Sequence, residues 1–153
     1  APSSANATIA DAASPTTTAR APRRANPDNN RQAGQFFSAV KEAVSSSNGD
    51  VCYIAGADLA HVGPRFGDPH QLSEPHLKVL EADDLRMLEA VVNRDARGFF
   101  ENIDLEENRR RICGLPPIYA MLKVMEAQKG KLLKYQQWAD PSATVTYASI
   151  VFQ

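Results

Sequence analysis

Apolar residues first fall into a helical rhythm near residue 31, where Phe36, Phe37, Val40 and Val44 recur at i, i+3, i+4 and i+7 type spacing. The polar run SSSNGD, residues 45–50, then ends the helix. The pattern changes at once to an unbroken apolar stretch, VCYIAGA at 51–57, which predicts a buried strand. After a Gly- and Pro-rich loop, SEPHLKVLEADDLRMLEAVV places Leu77, Leu80, Leu85, Leu88 and Val92 along one helical face, with Ser73 as N-cap and Pro75 in the first turn. Asp95 is positioned to cap a short helix carrying Phe99 and Phe100. A further helix opens at Pro116 and Pro117 and carries Ile118, Met121, Leu122 and Met125. The last segments, KLLKYQQWA and ATVTYASIVF, are rich in β-branched and aromatic residues around a DPS turn, and predict two neighbouring strands. The expected fold is therefore α/β, a mixed sheet flanked by helices.

Residues 1–30 break this regularity. They are rich in Ala, Ser, Thr, Pro and Asn and hold one isolated Ile and no aromatic residue, too little apolar surface to offset the entropy of ordering. They are expected to form a disordered tail, with a folded portion over 31–153. Asp11 and Asp28 argue against a transit peptide, and the PRR triplet lacks the apolar run of an export signal, so a linker or fusion remnant is the favoured reading.

Composition adds only boundaries. The 153 residues suit one domain with a substantial core, and a net charge of −1 with 23% charged residues gives no sign of the basic face that nucleic acid demands. No apolar run is long enough for a membrane span, so the chain is expected to be soluble and cytoplasmic, without membrane or nucleic-acid partners. Cys52 and Cys113 are expected to be free thiols, Cys52 as a structural residue of its strand. Trp138 and the tyrosines are assigned to core or rim.

Chemistry concentrates in two places. In open α/β sheets ligands gather beyond the carboxyl ends of strands, which is where Asp58 and His61 follow VCYIAGA. A carboxylate and an imidazole three apart can act as an acid/base pair, or the Asp can fix the tautomer of a ligating His. On spacing alone the favoured reading is an Asp that caps a turn beside a His on a polar rim, although Gly56 and Gly63 leave room for a ligand. Arg65 and Asp68 can bind an anion or pair with each other, the latter being favoured. A metal triad of His61, His70 and His76 is disfavoured by the Pro-broken segment that separates them. Cys113 follows Arg109, Arg110 and Arg111 and precedes a helix N-terminus, surroundings that favour a thiolate nucleophile or metal ligand. On spacing alone a small buried apolar group is the favoured reading.

Taken in order, IAGADLAHVGPRFGDP at 54–69, RRRICGLPPIYAML at 109–122 and LLKYQQWADPSATVTYASIVF at 132–152 resemble the Memo-like family, which includes AmmeMemoRadiSam system protein B. The resemblance covers about residues 31–153 and implies a fold similar to the class III extradiol dioxygenases. It also implies a metal-type pocket in which Cys113 of the C-G-x-x-P-I motif joins two histidines, lined by Asp58 and His61. Those two histidines belong to family motifs with no counterpart in this sequence, so the chain is expected to match the C-terminal half only. One implied function is a redox or dioxygenase-like activity in which non-haem iron or copper activates a bound oxygen species. The other is a non-catalytic protein- or peptide-binding module, after the animal members tied to receptor signalling and motility, or a portion that needs a complementary N-terminal half.

Overall fold

A computed structural model describes residues 25–153, so the expected tail lies outside the described residues over positions 1–24. Asn26 caps a 3-10 turn over Pro27–Asn29, and Asn30 then caps the first helix, its side chain accepting from the N–H groups of Gln32 and Ala33. The helices are α1 (Arg31–Ser45), α2 (Glu74–Val92), α3 (Ala96–Leu105) and α4 (Leu115–Val124). Three strands, β1 (His61–Val62), β2 (Gly130–Trp138) and β3 (Thr144–Phe152), form one sheet in the order β1-β3-β2. Helices and sheet combine as the α/β pattern predicts; among the described residues both strand pairs are antiparallel, so this sheet holds no parallel pair that would make it mixed.

The helix starts follow their local chemistry. Ser73 and His76 form a reciprocal capping box at α2, Asp95 accepts from Gly98 N–H at α3, and prolines occupy the first turns of α2 and α4. Met87, Leu88, Phe99 and Ile103 are fully buried where α2 meets α3, and each contributes roughly 1.5–3 kcal/mol by leaving water. Helix α1 buries no residue completely; Phe37 leans on Tyr119 of α4 and Asp28 pairs with Lys123 at 2.8 Å.

Two expectations change. Val51–Ala57 belongs to no helix or strand, and its exposure alternates: Tyr53 and Ala55 pack on the core while Ile54 is 86% exposed. A strand buried on both faces needs a packed layer over each, and among the described residues regular pairing in this segment begins at His61. Cys52 accordingly lies at the surface, as does Trp138 at the end of β2. The second change is on α2, where the buried stripe is Leu80, Asp84, Met87, Leu88 and Val91; Leu85 faces outward and a carboxylate takes its place.

Candidate functional site

The loop bearing Asp58 and His61 is stitched to two other segments. Leu59 N–H donates to Thr146 O at 2.8 Å, Thr146 N–H returns a bond to Ala60 O at 3.0 Å, and Thr146 Oγ1 accepts from Ala60 N–H at 2.9 Å. On the other side, His61 N–H donates to Arg110 O at 2.7 Å, and Asp58 O accepts from Gly114 N–H at 3.1 Å and from the Cys113 thiol at 3.4 Å. Gly114 makes this approach possible, because a Cβ there would stand 2.8 Å from both Asp58 O and Ile118 Cδ1. Sequence positions 55 residues apart thus meet, the Cys113 thiol lying against the backbone of Asp58.

His61 Nε2 lies 3.8 Å from Asp58 Oδ2, too long for a direct hydrogen bond but within reach of a small rotation of the Asp side chain. The imidazole stands edge-on to Phe66 at 5.2 Å, and its buried Nδ1 has no hydrogen-bond partner. Asp58 keeps 56% of its side chain in solvent against 20% for His61, and Cys113 is exposed, so His61 is the sheltered residue of the three.

Asp68 does not pair with Arg65. It takes Arg111 at 2.6 Å and the Gly63 N–H at 2.6 Å, and Arg111 also donates to His61 O at 3.0 Å. The Arg111 guanidinium, helped by that backbone N–H, holds the Asp68 carboxyl below its ordinary value. Gly63 at φ 113° lets the turn close, a Cβ there meeting Ser142 O at 2.7 Å. The arginines before Cys113 are likewise committed to carboxylates: Arg109 to Asp83 and Glu106, Arg110 to Asp84 and Glu106.

Beneath the loop lies a polar cluster that the hydrophobic pattern does not announce. Asp84, with no exposed surface, accepts from Arg110, from Tyr135 Oη at 2.9 Å and from Thr146 Oγ1 at 2.6 Å. Burial pushes its carboxyl upward against the pull of these three donors. Thr146 relays the cluster to Ala60, so α2, β2 and β3 jointly fix the loop between Asp58 and His61. The one sequence signal is a carboxylate within an otherwise apolar stripe of α2.

His76 is spent on its capping box, and with His70 it lines a cleft of about 350 Å³ beside Asp83 and Arg109, in a pocket without His61. Among the described residues no three His, Cys, Asp or Glu side chains converge closely enough to hold a metal ion, so Asp58, His61 and Cys113 as they stand supply no closed ligand set. No described helix is long and apolar enough to cross a membrane. Among the described residues a mostly apolar groove of about 700 Å³ is lined by Val51–Ala55 and Ala57, by Ala148–Phe152 at the end of β3, and by Leu88, Val91 and Ile118.

Comparison with known proteins agrees with the motifs quoted above. The profile of the Memo-like protein family matches residues 23–151. A protein of Aquifex aeolicus (strain VF5) named "MEMO1 family protein" is 31% identical over 104 residues, 65% of this chain and 26% of that protein. Another of the same name from Caldivirga maquilingensis is 30% identical over 122 residues, 75% of this chain and 38% of that protein. The chain thus spans well under half the length of these curated relatives.

Proposed function

Because the chain belongs to the Memo-like protein family, we propose that it contributes Asp58, His61 and Cys113 to a metal-dependent redox or dioxygenase-like site whose remaining ligands come from other polypeptide. The observation that carries this reading is that the fold brings Cys113 against the Asp58–His61 loop: its thiol lies 3.4 Å from the backbone O of Asp58, and His61 stands 3.8 Å from the Asp58 carboxylate. A thiolate, an imidazole and a carboxylate make a donor set suited to non-haem iron or copper. The described residues do not enclose an ion, so the proposal gives them part of the ligand set and no catalytic step of their own.

Titrating the reduced chain with Fe(II) and with Cu(I), beside Cys113→Ser, tests the proposal. The chain alone should bind weakly, and Cys113→Ser should weaken binding by about tenfold or more while circular dichroism shows both proteins folded. Equal affinity in the two folded proteins would sink the metal reading.

A second reading, a protein- or peptide-binding module that works with further polypeptide, is favoured by the open apolar groove. Its signature is polypeptide binding that survives Cys113→Ser unchanged.

A further inference from the structure

The cleft beside α2 is built from parts that the candidate metal site does not use. His76, Val79, Leu80 and Asp83 stand at i, i+3, i+4 and i+7 on α2 and form one wall. The facing wall is the loop of Pro69, His70, Gln71 and Leu72, which is held at both ends. Arg111 and the Gly63 N–H grip Asp68, and Leu72 N–H donates to Pro141 O at 2.9 Å. The cleft is therefore preformed, and about 350 Å³ suits a small organic molecule. Its lining is mainly apolar, and it includes Val79, which the chain itself leaves 59% exposed.

The polar groups left for a ligand are donors. Ser73 N–H donates to His76 Nδ1 at 3.1 Å, and Ser73 Oγ stands 3.0 Å from the same nitrogen. Nδ1 is thus the bare nitrogen of the ring, and the proton of the neutral imidazole sits on Nε2. Arg109 uses Nε for Glu106 and Nη2 for Asp83, which leaves the N–H groups of Nη1. The two carboxylates in the lining are already matched, Asp68 to Arg111 and Asp83 to Arg86 and Arg109, so neither is offered to a cation. We propose that this cleft binds a small carboxylate with a compact apolar body, the body against Leu72, Val79 and Leu80 and the carboxylate taken by His76 Nε2–H and Arg109. A guanidinium makes the stronger, charge-assisted kind of hydrogen bond, and apolar walls exclude the water that would weaken it. The inference goes beyond both readings above, for it needs neither Cys113, nor a metal, nor further polypeptide.

The probes are isovalerate and its uncharged counterpart isovaleramide, titrated into the isotope-labelled chain and followed by amide chemical shifts. Isovalerate should bind in the roughly millimolar range and shift the amides of Leu72, His76, Val79 and Leu80. His76→Glu is the decisive variant. Glutamate completes the commoner Ser-x-x-Glu capping box, so the start of α2 survives, while the donor becomes a like charge and isovalerate affinity should fall about tenfold or more. Arg109→Gln removes a side chain that is 68% exposed, and should weaken binding roughly three- to tenfold while circular dichroism stays unchanged. Isovaleramide binding as tightly as the acid would overturn recognition of the carboxylate, as would unchanged affinity in folded His76→Glu. Absence of a saturable shift, or shifts confined to residues 57–61, would overturn the cleft as the site. Cys113→Ser should bind isovalerate like the parent chain, so this proposal and the metal reading fail separately.

Discussion

Replacing Asp84 by alanine should be among the most damaging single changes to this domain, and it should also loosen the candidate site. The carboxylate is fully buried and receives Arg110, Tyr135 and Thr146. Its loss leaves Arg110, 5% exposed, with Glu106 as its remaining carboxylate partner, and strips the buried Thr146 hydroxyl and the half-buried Tyr135 hydroxyl of their acceptor. Breaking a buried ion pair from one side costs roughly 3–5 kcal/mol, and each orphaned donor about 1–3 kcal/mol in isolation, with overlap between them. A net loss of about 4 kcal/mol is a large share of the roughly 5–15 kcal/mol that holds a domain of this size together. Asp84→Asn keeps the volume and one acceptor and should lose about half as much. Urea unfolding followed by circular dichroism gives both numbers, and Arg110→Met closes a double-mutant cycle in which the pair costs less than the sum of its singles. Because Thr146 Oγ1 bridges Asp84 to Ala60 N–H, Asp84→Asn should also speed hydrogen exchange at Leu59, Ala60 and His61. A loss under about 1 kcal/mol for Asp84→Ala with an unchanged denaturant slope would refute the reasoning, since the charge would then be shown not to need its partner.

Three further outcomes are expected. Gly114→Ala pushes a methyl to within 2.8 Å of Asp58 O, so it should displace Asp58 from Cys113 and lower any Cys113-dependent metal affinity, with circular dichroism checking that the fold survives. Asp68 is held below its ordinary 3.8 by Arg111 and the Gly63 N–H; its stabilisation is therefore present above about that pH and lost as the pH falls through the folded value, and acid titration of Asp68→Asn should show a flatter loss of stability on that limb. Burial pushes the Tyr119 and Tyr135 phenols above 10.0, with Asp28 adding to the first, so their share of stability is lost as pH rises beyond that value; the late step in tyrosinate absorbance should vanish in a Tyr119→Phe, Tyr135→Phe double variant.

Local pattern was sufficient for what local physics decides. Helix spacing, the Ser73 and Asp95 caps, the prolines at helix starts and the β-branched hairpin are legible because each depends on residues within a turn or two of one another. The motifs that mark the family also carry Asp58, His61 and Cys113, though the spacing of Asp58 and His61 alone suits an ordinary capped turn. What only the tertiary structure decided are the partners across long separations. The sequence offers Asp68 an arginine three residues away, yet the folded chain brings it Arg111 from 43 residues further on. Periodicity puts Leu85 on the buried face of α2, whereas three distant donors make it possible for Asp84 to be buried instead. And VCYIAGA reads as a core strand because apolar composition records what a segment is suited to bury, while strand pairing depends on distant partners that hydrophobicity cannot specify.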